Sequence, residues 1–394
     1  MLSSTVSAAR DFDLAEECVQ EAYVEALEAW SRDGVPHRPG AWLTTVARRK
    51  ALDALRREQT FRSKLPLLVE PEDTDQGDRD DDAAVPDDQL KLIFTCCHPA
   101  LSQEAQIALT LRLVCGMSTT DIARAFLVSE STMAARLTRA KKKISTARIP
   151  YRVPRADELA DRLDAVLTVI YLLCAAGHTA PSGDQLMSED LVDRALDLTR
   201  TLVTLMPRER EVQGLLALIL LTNARRATRV NDTGRLLPLM NQDRTAWDHA
   251  AIDEAHQLVV EALREGSPGR YTLQAAIAAL HATAPSYAET DWPRVLAFYD
   301  RLLAVWPSPV VALNRAIAVA MVEGPAAALP EIEALERDGR LVGYRYLPST
   351  KADLLRRLGR HPEAVAAYRT ALDLAPNDAE RQFLATRMAE ISGR

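Results

Sequence analysis

Helical periodicity dominates the N-terminal part of the chain. Apolar residues recur at intervals of three and four between residues 11 and 65, which predicts two helices separated by a turn at Asp33-Gly34-Val35-Pro36. Asp13 precedes Leu14 with Glu16 three residues on, so a capping box is predicted to start the first helix there. The apolar positions predicted for the buried sides of the two helices are Val19, Ala22, Tyr23, Ala26, Leu27, Trp30, Trp42, Leu43, Val46, Ala47, Ala51, Leu52 and Leu55.

A helix-turn-helix pattern lies within a second periodic region, residues 89 to 148. A short helix is predicted to open at Ser118, and a turn at Leu127-Val128 separates it from a second helix that Ser129 caps. The core-facing residues predicted for the second helix are Met133, Leu137 and Ile144. The other side of this helix is polar and basic, which suits contacts with base edges and phosphates in the major groove of DNA.

The chain beyond Pro150 is also helical in pattern, and no segment alternates like a β-strand. The segment Leu358–Ala364, followed by Tyr368, Ala371 and Pro376, matches the spacing of a tetratricopeptide (TPR) repeat, which is about 34 residues long. The match is good for this last unit and weak elsewhere. We therefore predict an all-α protein whose C-terminal part consists of TPR-like helical hairpins and not of a regular array.

Charge is segregated along the chain, although the net charge of -7 over 394 residues is modest. Residues 66–88 are rich in Asp and Glu and poor in large apolar residues, so they predict a flexible acidic linker. Arg and Lys are the only charged residues between positions 136 and 155. A chain of this kind is predicted to contact an anionic partner with one part only.

Cysteine and histidine do not form a metal-binding pattern in this sequence. The five cysteines are irregularly spaced, and Cys96-Cys97-His98 would point in different directions on a helix, so buried core cysteines are predicted there instead of zinc. No phosphate loop or nucleophile elbow is present, so we predict neither an enzyme nor a bound cofactor or metal. Without a signal peptide or a membrane-length apolar run, we expect a cytoplasmic protein that does not contact a membrane.

Two blocks of sequence resemble sigma factors of bacterial RNA polymerase. Asp13-Leu14-Ala15-Glu16-Glu17 and Gln20-Glu21-Ala22, followed by Pro39-Gly40-Ala41-Trp42-Leu43, are similar to sigma region 2. The segment from Leu109 to Lys143 is similar to sigma region 4. The two blocks in this order, joined by an acidic linker, are typical of the extracytoplasmic-function (ECF) group of sigma factors.

The remaining sequence resembles one ECF subgroup that carries a TPR-like C-terminal extension. Phe94-Thr95-Cys96-Cys97-His98-Pro99, Gln242-Asp243-Arg244 and Ser308–Arg315 carry this match. Two departures stand out: the first helix of region 2 is short or missing before Asp11, and Cys174–His178 replaces a Phe-Asn-Glu-Gly-Tyr-like loop. The resemblance implies region 2 at 1–65, the linker at 66–88, region 4 at 89–150 and the extension at 151–394.

The resemblance also implies roles for specific residues in binding core RNA polymerase and promoter DNA. The residues implied for polymerase docking are Glu16, Glu17, Gln20 and Glu21. Those implied for the minus-ten promoter element are Trp42, Arg48, Arg49, Lys50 and Arg56. Those implied for the minus-thirty-five element are Glu130, Ser131, Thr132, Arg136, Arg139 and Lys142, while Lys141 and Lys143 are expected to grip phosphate.

Several alternatives stay open at this point. Trp42 suits either stacking on a base or packing in the core, and the core is favoured. Asp243-Arg244 with Trp247 is expected to form a packing corner and not a ligand site. The C-terminal extension is expected to regulate the sigma factor, by activation or by inhibition, and to bind a protein partner in a helical groove. The rival function is a polymerase-independent helix-turn-helix regulator with a TPR-like sensor domain.

Overall fold

The computed structural model of the protein describes residues 1–64, 85–126, 128–154, 156–178, 185–229, 237–264, 266–375 and 378–392. The regular structure of these residues is helical and contains no strand. The prediction of an all-α chain is therefore confirmed. The chain divides into two compact units, an N-terminal unit of Met1–Leu173 and a C-terminal unit of Cys174–Arg394.

The division between the units falls within one helix. The helices up to that point are α1 (Leu2–Ala9), α2 (Phe12–Asp33), α3 (Pro39–Lys64), α4 (Val85–Cys96), α5 (Gln103–Leu113), α6 (Thr119–Ala125), α7 (Glu130–Thr146) and α8 (Ala156–His178). Those that follow are α9 (Gln185–Leu205), α10 (Arg210–Asn223), α11 (His249–Arg264), α12 (Arg270–Thr283), α13 (Trp292–Val305), α14 (Pro309–Val322), α15 (Pro325–Asp338), α16 (Tyr346–Arg357), α17 (His361–Asp373) and α18 (Asp378–Ser392).

Helix α2 packs through a stripe of small side chains. The buried residues of this stripe are Ala15, Cys18, Ala22 and Ala26. They lie against α1 and α3, whose buried residues here include Val6, Leu43, Val46 and Ala47. The predicted core positions Tyr23, Leu27 and Leu52 are wrong, because their exposed fractions are 51%, 76% and 43%. The small stripe lets the helices approach closely on one side, so the larger residues beside it stay in solvent.

The start of α2 differs from the prediction. Asp11 is the N-cap, and its carboxylate accepts a hydrogen bond of 2.8 Å from the backbone N–H of Leu14. Asp13 lies inside the first helical turn, so the capping box predicted there is wrong. The helix begins earlier because Phe12 is buried and anchors its first residue in the core.

The residues before Asp11 do form a helix, although a short one. Helix α1 buries Val6 and Ala9 and contacts both α3 and α4. The hydroxyl oxygen of Tyr151 lies 2.9 Å from the carbonyl oxygens of Ser3 and Asp88, so one phenol joins α1 to α4. The first ten residues are thereby tied into the N-terminal unit.

Most of the predicted acidic linker, residues 66–88, lies outside the described residues. Its last four positions belong to α4, which begins at Val85. Asp88 is only 5% exposed there. Helix α4 starts this early because Leu90, Leu92 and Ile93 are buried and hold it in the core.

The helix-turn-helix prediction agrees with the structure. Helices α6 and α7 pack together, and the hydroxyl of Ser129 accepts a hydrogen bond of 3.2 Å from the backbone N–H of Thr132. The predicted core-facing residues Met133, Leu137 and Ile144 are all buried. Leu127, half of the predicted turn, lies outside the described residues.

The C-terminal unit is built of successive helices that pack on their neighbours in the chain. Helices α13 to α18 each contact the next one, and short loops join most of them. Gly324 and Gly359 adopt positive φ angles of 94° and 74° at the loops before α15 and α17. The predicted TPR-like positions Ala364, Tyr368 and Ala371 are buried in one cluster. Residues Cys174–His178, expected to be a loop, instead form the end of α8.

Helices α10 and α12 pack closely in the C-terminal unit. The carboxylate of Glu211 accepts backbone N–H bonds of 2.9 Å from Tyr271 and 3.1 Å from Thr272, which caps the start of α12. One turn later, Gly214 lies against Thr272, where an added Cβ would be 2.6 Å from the backbone nitrogen. Only a hydrogen side chain fits at this crossing.

Gly214→Ala is expected to lower the free energy of unfolding of the C-terminal unit by about 3 kcal/mol, because the new methyl group meets backbone atoms that cannot move aside. Urea unfolding followed by circular dichroism measures the change. The matched control is Gly40→Ala, whose added Cβ has nothing within 4 Å. Equal effects of the two substitutions would contradict the close crossing.

Arg244, Trp247 and His281 form a packing corner near the end of α12. The Arg244 guanidinium lies 4.6 Å from the Trp247 ring centre and donates hydrogen bonds of 2.6 Å and 2.8 Å to the carbonyl oxygens of His281 and Ala284. The packing role predicted for Arg244 and Trp247 is therefore confirmed. Burial, followed by the charges of Arg225 and Arg244, lowers the pKa of His281 to about 4.

This histidine makes the stability of the C-terminal unit depend on pH. The unfolded chain binds a proton at His281 near pH 6.5, whereas the folded chain resists it down to about pH 4, so stability falls as pH drops through this window. At pH 5 the loss is about 2 kcal/mol relative to pH 7. His281→Gln is expected to remove that part of the acid sensitivity in urea titrations, while the exposed His256→Gln serves as the control. If His281→Gln loses as much unfolding free energy between pH 7 and pH 5 as the unchanged protein does, His281 is not the source of the acid sensitivity.

Candidate nucleic-acid interface

The outer face of α7 carries most of the residues predicted to contact the minus-thirty-five element. Glu130, Ser131, Thr132, Arg139 and Lys142 are exposed. Because Ser131, Arg139 and Lys142 are spaced at helical intervals, they share one solvent-facing side. The structure therefore brings five of the six predicted residues to the surface of the same helix.

Arg136 is held differently from its neighbours. Its side chain is 22% exposed, forms an ion pair of 3.0 Å with Glu104 of α5, and lies 5.7 Å from the ring centre of Phe126. These contacts fix the guanidinium at the edge of the helix-turn-helix. Of the two arginines predicted to contact bases, Arg139 is the one that points into solvent.

Lys141 faces the opposite side of α7 and contacts α2. Its amino group is 3.0 Å from a carboxylate oxygen of Asp13 and also binds Glu16, and only 15% of the side chain is exposed. Burial by itself lowers the pKa of Lys141, but the hydrogen bonds to Glu16 and Asp13 outweigh it and raise the pKa. Arg112 adds a second cation 3.7 Å from Glu16.

Two predictions meet at this contact. The phosphate contact expected of Lys141 stays a prediction, and in this structure two carboxylates occupy its amino group. Glu16, predicted to dock on polymerase, is bound to Lys141 and Arg112 and is half-buried, whereas Glu17, Gln20 and Glu21 are exposed. The 100° step of a helix separates Lys141 from Lys142 in the same way.

The basic side of α3 also lies against acids of α2. The amino group of Lys50 is 3.3 Å from Glu21 and 3.1 Å from Glu25, and Arg49 is 3.4 Å from Glu25. The hydrogen bond to Glu25 is the main reason that the pKa of Lys50 is raised. A residue predicted for polymerase and two residues predicted for promoter DNA therefore lie side by side on the seam between α2 and α3.

The other predicted minus-ten residues have mixed environments. Trp42 is half-buried, with its ring centre 5.5 Å from that of Trp30, as the favoured core role requires. Arg48 is half-buried, while Arg56 is exposed and lies 3.7 Å from Asp53. Arg49 and Arg56 are therefore the two most open cations of this set.

The exposed side of α2 contains an apolar patch that the sequence prediction missed. Tyr23, Val24 and Leu27 are exposed by 51%, 58% and 76%. They lie next to the exposed Gln20 and Glu21 on the same helix. The regular small residues from Ala15 to Ala26 were the available signal, because they mark the buried side and place the larger residues outside it.

The cysteines predicted to be core residues are buried. Cys96 and Cys97 are both 0% exposed, and burial raises the pKa of Cys97 to about 12. A thiol in this state is a poor metal ligand and a poor nucleophile at neutral pH. Across the part of the chain that the structure describes, no three His, Cys, Asp or Glu side chains cluster as a metal site would require.

Comparison with known proteins assigns both halves of the N-terminal unit. Residues 6–61 match the family model of sigma-70 region 2, and residues 91–144 match that of sigma-70 region 4. A 125-residue stretch is 25% identical to the ECF RNA polymerase sigma factor SigX of Bacillus subtilis (strain 168), covering 31% of this chain and 64% of that protein. The chain belongs to the ECF sigma factors. As a family, sigma factors are non-enzymatic transcription initiation factors that bind core RNA polymerase and promoter DNA.

The helical extension of this sigma factor has relatives of its own. Residues 162–263 match a family of unknown function (DUF6596). An uncharacterized protein of Rhizobium meliloti (strain 1021) is 44% identical over 388 residues, covering 97% of this chain and 91% of that protein. A thermophilic TPR protein of Thermus thermophilus covers 57% of this chain at 19% identity, with a TM-score of 0.34. The sigma regions and the extension thus occur together in the Rhizobium protein as well.

A membrane-spanning helix needs both sufficient length and an apolar sequence. Among the helices of the described residues, none combines the length and the apolar character that crossing a bilayer demands.

Lys141→Met is expected to loosen the contact between α2 and α7 and to lower the free energy of unfolding of the N-terminal unit by about 1–3 kcal/mol. The reason is that the half-buried Glu16 loses one of its two cations. Urea titration gives the energy, and amide hydrogen exchange in the first turn of α2 localises it. Lys142→Met, on the adjacent exposed residue, is the matched control and should change the energy by less than about 0.5 kcal/mol. Equal losses in the two variants would exclude the ion pair as the cause.

Proposed function

We propose that this sigma factor binds core RNA polymerase through the exposed face of α2 and directs transcription from promoters that α3 and α7 recognise. The observation that supports this proposal is that the N-terminal unit presents two distinct surfaces. Helix α2 presents apolar side chains among acids, and α7 presents a polar and basic face. Since polymerase works in the cytoplasm, a cytoplasmic location is part of the proposal.

The docking surface consists of Glu17, Gln20 and Glu21 together with the apolar patch of Tyr23, Val24 and Leu27. Large apolar side chains that are this exposed mark protein contact sites when they occur in groups. The apolar patch would supply most of the binding energy, and the flanking acids would steer the approach to a basic partner. Glu16 belongs to this surface only after its bonds to Lys141 and Arg112 open.

Recognition of the minus-thirty-five element is assigned to α7. Arg139 has the exposure needed to donate two hydrogen bonds to a guanine, which is worth about 1–3 kcal/mol of discrimination. Lys142 suits phosphate, and Glu130, Ser131 and Thr132 lie at the start of the helix, where recognition helices approach base edges. Arg136 would act as a support for this face unless its pair with Glu104 opens.

Recognition of the minus-ten element is assigned to α3. Arg48, Arg49, Lys50 and Arg56 are the cations for the phosphates of the opened strand, and Trp42 stiffens the helix from the core side. The ion pairs of Arg49 and Lys50 with Glu25 are partly exposed. Such pairs contribute little stability, so a phosphate can replace the carboxylate at small cost.

We further propose that the C-terminal extension regulates the sigma factor. The support is that the extension forms a compact unit of its own and accompanies the sigma regions along nearly the whole length of the Rhizobium relative. The Gly214→Ala substitution in the full-length protein weakens the extension and therefore distinguishes activation of the sigma factor from inhibition. More transcript than from the unchanged protein indicates restraint, and less indicates activation.

Leu27→Ser is expected to weaken binding to core polymerase at least tenfold and to reduce run-off transcription accordingly, because it removes the most exposed apolar side chain of the docking surface. The fold should be unaffected, since the side chain is 76% exposed. Leu205→Ser, at a 49% exposed leucine of α9, is the control. Fluorescence anisotropy with labelled sigma factor gives the affinity, and an unchanged value would refute the docking surface.

Arg139→Ala is expected to cost about 1–3 kcal/mol of binding at one promoter position and to relax base preference there. Lys142→Ala should weaken binding to all promoter sequences equally. It should also reduce the slope of log affinity against log salt concentration by about one. Run-off transcription from a library of promoter fragments tests both. Tight binding to duplex DNA without core binding or transcripts would instead favour a polymerase-independent helix-turn-helix regulator.

A further inference from the structure

The C-terminal unit contains a cavity of about 310 Å³ that the proposed function does not use. Part of its wall is apolar, contributed by Leu237, Leu239, Tyr346 and Phe383. The remainder is basic, contributed by Arg225, Arg229 and Arg345. A volume near 300 Å³ suits a small molecule and leaves no room for a folded partner or a long peptide.

Two arginines of the basic side have no acidic partner among the described residues. Arg225 and Arg229 are half-buried, and within the part of the chain that the structure describes no carboxylate forms an ion pair with either of them. Burial, followed by the charges of Arg229 and Arg244, lowers the pKa of Arg225 to about 10. Burial also lowers the pKa of Arg229. Both guanidiniums stay protonated at neutral pH, so positive charge accumulates in a poorly hydrated place.

Gln242 also lines the cavity. Its side-chain amide nitrogen donates a hydrogen bond of 3.0 Å to the carbonyl oxygen of Leu237. The lining as a whole therefore suits a ligand that carries a negative group and an apolar body.

We propose that this cavity binds a small organic anion, with its carboxylate or phosphate against Arg225 and Arg229 and its apolar body against Leu239 and Phe383. The guanidinium fork matches the oxygens of either group, so the two share one recognition chemistry. The anion would supply a counter-charge that no carboxylate of the described residues provides to these two arginines. This inference concerns the extension alone and does not depend on polymerase binding.

The test uses the full-length protein and four probes at constant ionic strength. The probes are 4-hydroxybenzoate, phenyl phosphate, the neutral 4-hydroxybenzamide and inorganic phosphate. At least one organic anion is expected to raise the unfolding temperature by several degrees at saturating concentration, because it binds only the folded state. The neutral amide and inorganic phosphate should give much smaller shifts. The two organic anions show whether carboxylate or phosphate is preferred.

Arg229→Met separates ligand binding from a structural role. It removes a desolvated charge, so the unfolding temperature without ligand should stay the same or rise, while affinity for the anion in calorimetric titration should fall at least tenfold. Arg369→Met, at an exposed arginine of α17, should change neither value. Arg225→Met gives the same test if Arg229→Met does not fold.

Three outcomes would overturn the proposal. The first is the absence of a shift with both organic anions. The second is an equal shift with the neutral amide or with inorganic phosphate, which would remove the need for charge or for an apolar body. The third is unchanged anion affinity in both arginine variants.

Discussion

The close packing of α2 against its neighbours decides which residues of the N-terminal unit are available to partners. Ala15, Cys18, Ala22 and Ala26 form the buried stripe, and their small size allows α1 and α3 to approach. Tyr23, Val24 and Leu27 lie off this stripe and face solvent. Their exposure and that of the acids beside them follow from this packing, so the proposed docking surface is a consequence of how the core is filled.

Opposite charges on the partner-binding surfaces bind each other in this structure. Lys141 of α7 holds Glu16 of α2, and Lys50 of α3 holds Glu21 and Glu25. The surface proposed to meet a basic protein and the surface proposed to meet DNA carry opposite charges, so they are complementary to one another. The pairs of Lys50 are partly exposed and contribute little stability, so phosphate or polymerase can replace them, whereas the less exposed Lys141–Glu16 pair contributes more to the compact unit.

The C-terminal unit manages its polar groups in a different way. Glu211 caps the start of α12, and Arg244 satisfies two carbonyl oxygens near the end of the same helix. The bonds of Glu211 hold α12 against α10 at the crossing where Gly214 contacts Thr272. Arg225 and Arg229 line the cavity and lack an acidic partner within the described residues.

Sequence alone determined the helical class, the helix-turn-helix with its Ser129 cap and its core residues, and the two sigma blocks, because these depend on short-range spacing and capping chemistry. The tertiary structure decided which side of α2 is buried, where α2 begins and which charged residues pair. Periodicity could not show that Leu27 and Leu52 are exposed, that Asp11 replaces Asp13 as the cap, or that Lys141 and Lys142 face different partners. Those outcomes depend on which neighbouring helix is close enough to bury a residue, and that distance is set by residues far away in the chain.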